Sequence, residues 1–179
     1  MAASPIPFPS LRPALHRVWF PVLFGLTIIC FESTPLMGGD RTGRWLGEIW
    51  PAILGRVNSP FFGEVHHILR KIGHFTGYGT LGLLFRKAWH RSVRLYLGLL
   101  GSRLLVGASA LAVSCVFLVG SLDEWHQSFI PGRTSTRTDV LIDTCGALAF
   151  NLAFFALRRY RRNRILRSYA VPSRFSLPA

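Results

Sequence analysis

Long apolar runs alternate with short polar and basic segments along the whole chain. The runs at residues 18–37, 104–122 and 140–157 each come close to the roughly 20 apolar residues that a helix needs to cross a bilayer core of about 30 Å. A fourth run, at 65–89, is less apolar because it carries lysine, arginine and histidine as well as several glycines. The pattern predicts an all-α, multipass membrane protein, a four-transmembrane-helix bundle.

The distribution of charge predicts how the four spans are oriented. Lysine and arginine accumulate in short segments on the cytoplasmic side of a membrane protein. With a cytoplasmic N-terminus, the inner segments hold 14 of the 21 basic residues, and the outer segments hold the other 7 together with all 8 acidic residues. With only three spans, the basic C-terminal tail would lie on the side opposite the N-terminus, and basic and acidic residues would no longer be separated. We therefore expect both termini to be cytoplasmic.

The two ends of the chain differ in composition from the part between them. Residues 1–15 contain three closely spaced prolines and predict a flexible N-terminal tail, and residues 159–179 form a basic C-terminal tail. Residues 16–158 form the predicted membrane domain. The basic residues at 158–167 are expected to meet anionic lipid at the inner surface of the bilayer.

Composition excludes several other classes of protein. The chain has 179 residues, 50% of them hydrophobic, and a formal net charge of +13. Its basic residues lie between apolar runs rather than on one solvated face, so nucleic-acid binding is not expected. Cys30, Cys115 and Cys145 lie inside apolar runs without metal-ligand spacing. We expect them to pack as small apolar side chains, with no metal and no cofactor.

Ionisable side chains concentrate at one depth of the predicted bundle. Lys71, His74 and Tyr78 follow one another at steps of three and four, which places them on one face in the outer half of the second span. Asp139 and Asp143 are one helical turn apart at the outer end of the fourth span. Charged groups at such depths are costly and usually have a partner or a function.

The predicted loop between the third and fourth spans adds further polar groups on the same side. It contains Asp123, Glu124, His126, Gln127 and Arg133. Each group also has a structural interpretation, for example an ion pair of Arg133 with one of the fourth-span aspartates. Their shared depth nevertheless predicts a polar pocket that opens to the outside.

These residues form two spaced motifs. The first is Lys71-x-x-His74-x-x-x-Tyr78-x-x-Leu81-Gly82, and the second is Asp123-Glu124-x-His126-Gln127-x-Phe129-x-Pro131-Gly132-Arg133, followed by Asp139-x-x-x-Asp143-x-x-Gly146. Together they resemble the VanZ-like family of bacterial membrane proteins. One departure is Asp143, where the family pattern more often has asparagine.

The resemblance implies a multipass protein of the bacterial inner membrane. It also implies that Lys71, His74, Tyr78, Asp123, His126, Gln127, Arg133 and Asp139 matter for function. The founding member of the family is associated with resistance to the glycopeptide teicoplanin, so the resemblance extends to a link with antibiotic resistance. It specifies no molecular activity and no protein partner.

Three functions are compatible with the predicted pocket. The first is binding of an envelope component, such as a lipid headgroup or a lipid-linked precursor, with Lys71 and Arg133 holding phosphate or carboxylate. The second is a structural role in an envelope complex, in which the polar cluster only holds the bundle together.

The third is an enzyme that acts on a phosphate or acyl substrate at the membrane surface. Its general base would be His74 or His126, assisted by Asp123 or Asp139. A metal site made of His126, Asp123 and Asp139 would need a supporting ligand spacing, and the sequence has none.

Overall fold

The computed structural model describes residues 12–54, 59–98, 101–131, 133 and 135–169. The described residues form five α-helices and no strand. The helices are α1 (Arg12–Glu32), α2 (Gly39–Leu54), α3 (Ser59–Leu97), α4 (Ser102–Gln127) and α5 (Arg137–Tyr169), and a single 3₁₀ turn, Pro35–Met37, lies between α1 and α2. The predicted all-α class is therefore confirmed.

Three of the helices are long and apolar enough to cross a membrane. They are α1, from Leu15 onwards, α4 and α5. They contain three of the four predicted spans, although α1 ends at Glu32 and the last residues of the first apolar run form the 3₁₀ turn instead. The fourth predicted run, 65–89, lies within α3, which has 39 residues but is too polar to qualify by composition.

Helix α3 lies at the centre of the bundle and packs against α1, α4 and α5. Tyr78, Leu81, Phe85 and Ala88 of α3 are buried in the core, together with small and branched residues of the other three helices. Three apolar neighbours thus cover one side of α3, whereas Ile68, Ile72, Thr76 and Thr80 lie exposed along the other side.

Small residues bring α3 and α5 into close contact. A Cβ atom at Gly82 would lie 2.9 Å from the Cβ of Ala147, and one at Gly79 would lie 2.7 Å from the ring of Phe150. In the other direction, a Cβ at Gly146 would overlap the backbone carbonyl of Phe75. The helix backbones approach so closely that only glycine fits at these positions.

Helix α2 was not expected, because residues 38–64 lie between the first two predicted spans and contain no long apolar run. Its 16 residues are too few to span a bilayer, and its apolar residues Trp45, Leu46, Ile49 and Trp50 recur at helical spacing on one face. It contacts α3 through Trp50 and Phe62, whose ring centroids are 5.5 Å apart. An amphipathic helix of this kind suits the membrane interface, where tryptophan is favoured.

The helices extend beyond the predicted membrane domain at both ends. Helix α1 begins at Arg12, so residues 12–15 of the predicted N-terminal tail are helical, and residues 1–11 lie outside the described residues. Helix α5 continues through the basic segment to Tyr169, and residues 170–179 also lie outside the described part. Near its start, α1 is joined to α3 by a hydrogen bond of 3.0 Å from Trp19 Nε1 to Ser92 Oγ.

The close approach of α3 and α5 predicts different effects for two similar substitutions. Gly146→Ala is expected to lower the free energy of unfolding by about 1–3 kcal/mol, because backbone atoms of Phe75 must move to admit the methyl group. Gly77→Ala, also in mid-helix, meets nothing within 4 Å and is expected to be neutral or slightly stabilising. Thermal unfolding of the purified variants in detergent measures the difference. Equal effects would contradict the described packing.

Candidate functional site

The carboxylate of Asp123 joins three helices at one end of the bundle. It accepts hydrogen bonds from Tyr78 Oη of α3 at 3.1 Å, from Gln127 Nε2 one turn further along α4 at 2.8 Å, and from Ser33 Oγ. Ser33 directly follows α1 and is buried. Three donors on one carboxylate satisfy most of its acceptor capacity.

Two ion pairs join α3 to α5 beside this carboxylate. Lys71 Nζ lies 2.8 Å from Asp139 Oδ1, and His74 Nδ1 lies 3.2 Å from Asp143 Oδ1. The ring of His74 stacks on that of Tyr78, with centroids 6.0 Å apart. This contact connects the ion pairs to the Asp123 cluster, which consists of Asp123 and its partners Ser33, Tyr78 and Gln127. The spacing of these residues on α3 and α5 places their side chains at matching heights.

Asp143 is fully buried where α3, α4 and α5 meet. A Cβ at Gly120 of α4 would lie only 3.2 Å from Asp143 Oδ2, so glycine leaves the room that this carboxylate occupies. One of its oxygens is bonded to His74, and Oδ2 has no hydrogen-bond partner among the described residues. A buried carboxylate with one free oxygen is costly, which indicates that its bond to His74 matters for the stability of the bundle.

Arg133 closes the end of α1. Its guanidinium donates hydrogen bonds to the backbone carbonyl of Thr34 at 3.0 Å and to that of Glu32. These carbonyls belong to the helix end, where backbone acceptors lack intrahelical partners. Burial lowers the pKa of Arg133, and the positive charge of Arg70 lowers it further, whereas nearby carboxylates oppose the shift.

The start of α5 is attached to the end of α4. Glu124 Oε2 accepts a hydrogen bond from the backbone N–H of Thr136 at 2.8 Å, and the Glu124 carbonyl accepts one from Ser135 Oγ at 2.7 Å. Thr136 Oγ1 in turn accepts a hydrogen bond from the backbone N–H of Asp139, as an N-cap does. The connection is therefore fixed to α4 on one side and, through Arg133, to α1.

A cavity of about 320 Å³ opens next to the polar network, between α1, α2 and α3. Its polar wall contains two arginines, two histidines, one threonine and one glutamate, namely Arg70, Arg133, His66, His74, Thr42 and Glu32. Met37, Leu46 and Leu69 form its apolar wall. The cavity thus combines two guanidinium groups with an apolar surface.

The two arginines of the cavity, Arg70 and Arg133, have no carboxylate of the described residues within ion-pair distance. Among the described residues, the ion pairs are Lys71–Asp139 and His74–Asp143. Arg70 Nη1 donates one long hydrogen bond of 3.3 Å to the carbonyl of Met37, and Arg133 binds backbone carbonyls as described above. A guanidinium has five N–H donors, so both retain donors for a ligand.

The structure brings together nine of the ten residues that the sequence predicted for the site. They are Lys71, His74, Tyr78, Asp123, Glu124, Gln127, Arg133, Asp139 and Asp143. His126 is separate from them, because its side chain is exposed on α4. In the part of the chain that the structure describes, no group of three histidine, cysteine, aspartate or glutamate residues is placed to hold a metal ion.

Several residues of the site were not predicted from the sequence. His66 and Arg70 precede His74 at steps of four, and this spacing could have identified a second polar stripe on α3 facing the cavity. Ser33 and Thr42 carried no comparable signal. Thr42 Oγ1 lies 3.0 Å from His66 Nε2, a contact that depends on the position of the unpredicted helix α2.

Fold and site together define an all-helical membrane protein with a polar network across its helices. Comparison with known families gives a match to the VanZ/LLP1 family over residues 43–158. The chain therefore belongs to this family, in agreement with the two motifs on α3, α4 and α5. No curated protein and no solved structure matches the chain significantly.

The hydrogen bonds of Asp123 predict that a change of one atom destabilises the bundle. In Asp123→Asn, the amide replaces one acceptor by a donor that faces other donors, so the free energy of unfolding is expected to fall by roughly 1–3 kcal/mol. The control is His126→Ala, on the exposed side of α4, with an expected change within about 0.5 kcal/mol. Thermal unfolding of both variants in detergent checks this, and equal losses would contradict the assigned network.

Proposed function

We propose that the protein is a multipass protein of the bacterial inner membrane with four spans and both termini in the cytoplasm. The length of α3 supports the fourth span, since 39 helical residues extend about 58 Å, well beyond the thickness of the bilayer core. Its central position among three apolar helices supports it as well. The concentration of basic residues at the end opposite the acidic network supports the orientation.

Reporter fusions test this topology. Alkaline phosphatase fused after residue 45 or 131 is expected to be active, because both positions are then periplasmic, and a fluorescent protein that folds only in the cytoplasm is expected to fluoresce after residue 98 or 169. The control is the reciprocal reporter at each position. If the fusions at residues 98 and 131 report the same side, α4 does not cross the membrane and the proposal fails.

The function that the geometry supports best is binding of an anionic envelope component in the outward-facing cavity. The ligand would be a lipid headgroup or a lipid-linked precursor, with its phosphate or carboxylate between Arg70 and Arg133. The observation that carries this proposal is the pair of guanidinium groups on the cavity wall, neither of which has a carboxylate within ion-pair distance in the part of the chain that the structure describes. Arginine binds such anions through two parallel hydrogen bonds.

Lys71 has a different part in this proposal from the one that its sequence position suggested. Its ammonium group is already neutralised by Asp139 at 2.8 Å, so Arg70 takes its place as the second cation for the ligand. Lys71 and Asp139 instead hold α3 and α5 together beside the cavity. The residues of the Asp123 cluster act in the same way, by fixing the helices between which the cavity lies.

The rest of the cavity suits a lipid-like ligand. Met37, Leu46 and Leu69 offer an apolar surface to an acyl or polyprenyl chain. Helix α2 covers one side of the cavity and carries Trp45 and Trp50, which favour the depth of lipid headgroups. A ligand anchored in the outer leaflet could therefore present its anionic group to the cavity without leaving the membrane. Binding of an envelope precursor would also connect the protein to glycopeptide tolerance.

Substitution of Arg70 tests the binding proposal. Thermal stability of the purified full-length protein is titrated with a polyprenyl diphosphate, with phosphatidylcholine as the neutral comparison. Arg70→Gln is expected to weaken binding roughly 10- to 100-fold, as loss of a charge-assisted hydrogen bond does. Arg44→Gln removes the same charge from an exposed position of α2 and should change little. Equal affinities of the two variants, or no stabilisation of the wild type, would contradict the proposal.

A second function, an acid–base enzyme, is favoured by one specific observation. His74 lines the cavity while its Nδ1 is bonded to the buried Asp143, an arrangement that orients an imidazole as a general base. In this case the bound envelope component would be a substrate with a phosphate or acyl bond. His74→Gln would then abolish its turnover by the purified protein while leaving binding intact, whereas the binding function predicts no turnover by either protein.

A further inference from the structure

A second basic cavity lies at the other end of α3, far from the polar network. It has a volume of about 550 Å³ and lies between α3, α4 and α5. Its charged and titratable side chains are Arg86, Lys87, His90, Arg91, Arg94 and Arg158. No acidic residue occurs within residues 65–122 or 144–179 of the sequence, so nothing nearby in the chain neutralises this charge.

Arg86 distinguishes this cavity from an ordinary basic surface. Its side chain is 8% exposed, and its guanidinium carbon lies 3.3 Å from the centroid of the Phe154 ring. Its Nε atom is buried and has no hydrogen-bond partner among the described residues. The Phe154 ring offsets part of the cost of burying this guanidinium, but the buried Nε–H still lacks an acceptor, which an anion in the cavity would supply.

The other walls of the cavity indicate what carries the anion. Leu83, Leu84, Leu105 and Phe154 provide apolar surface next to the basic groups. A free inorganic ion makes no favourable contact with an apolar surface, whereas a phospholipid places its phosphate at the headgroup level and its acyl chains beside it. Lys87, Arg91 and Arg94 recur at steps of four and three on α3 and so form a row of charges facing the headgroup level.

We infer that this cavity is a binding site for the phosphate group of an anionic phospholipid in the leaflet opposite the polar network. Arg86 contacts the phosphate from inside the bundle, and Arg91, Arg94 and Arg158 surround it from the surface. The acyl chains lie along Leu83, Leu84 and Leu105. In the proposed topology this is the cytoplasmic leaflet, and the site is independent of the outward-facing cavity.

Lipid binding to the purified full-length protein in a neutral detergent tests the inference. Binding is followed by native mass spectrometry and by thermal stability, with phosphatidylglycerol, phosphatidylcholine and glycerol 3-phosphate as probes. We expect phosphatidylglycerol to bind and stabilise the protein, and the other two to have at most one tenth of its apparent affinity. If glycerol 3-phosphate or phosphatidylcholine binds equally well, the assignment to an anionic lipid is wrong.

Three variants locate the bound lipid. Arg86→Met keeps the length and apolar stem of the side chain, and the double variant Arg91→Gln/Arg94→Gln changes only exposed positions, so it remains informative if Arg86→Met does not fold. Each should weaken phosphatidylglycerol binding about tenfold or more, as loss of charge-assisted hydrogen bonds does. Arg162→Gln, on the exposed end of α5, is the matched control.

The variants also separate this site from the outward-facing cavity. An equal loss per charge removed in Arg162→Gln and in the double variant would show that net charge alone attracts the lipid and would overturn the inference. Arg70→Gln should leave binding to this second site unchanged, so failure of the outward-facing function does not affect the result. If Arg70→Gln removes the phosphatidylglycerol effect, the lipid binds at the other end and the inference is wrong.

Discussion

The structure depends on a single constraint, namely that polar and charged groups near a bilayer must be satisfied by one another. Asp123, Asp139 and Asp143 are each bonded to a side chain of α3, so that the three aspartates of α4 and α5 are bound to the central helix. Arg133 adds the end of α1 to the same network. Together these bonds fix the relative heights of four helices.

Helix α3 can carry polar side chains because it packs against three other helices, and without those contacts its polar side chains would face lipid. A helix that carries Lys71, His74 and Arg86 cannot turn these side chains to lipid without a large cost, and each of the three instead faces a partner on α5. The glycines that line the contact between α3 and α5 allow this close approach. The same helix therefore carries the polar network at one end and the buried arginine of the basic cavity at the other.

Much of this arrangement could be predicted from the sequence, because depth in a membrane is readable from position along an apolar run. Lys71, His74 and Tyr78 share a face by their spacing, and Asp139 and Asp143 lie at the same depth, so their association was predictable. The direction of a side chain around a helix was harder to predict. The third predicted span ends at Leu122, whereas α4 continues to Gln127, and only the continued helix shows which residues after 122 face inward.

The position of His126 and the presence of α2 could not be predicted from the sequence, for physical reasons. On the continued helix, His126 lies about 200° around the axis from the buried Glu124, on the outside of α4. Helix α2 is too short and too polar for a span, and its apolar face is recognised only by its periodicity within the segment. The contacts of Arg133 were not predictable either, since its acceptors are backbone carbonyls at the end of α1. Every residue has a backbone carbonyl, so the sequence gives no signal for such a contact.

In this network, side chains from different helices satisfy one another. A double-mutant cycle on Tyr78→Phe and Asp123→Ala, with unfolding free energies determined in detergent, measures one such contact between α3 and α4. We expect the two changes to be coupled by at least about 0.5 kcal/mol, the scale of hydrogen bonds between membrane helices. Strictly additive effects would contradict this expectation, because they would mean that the Tyr78 hydroxyl and the Asp123 carboxylate do not meet.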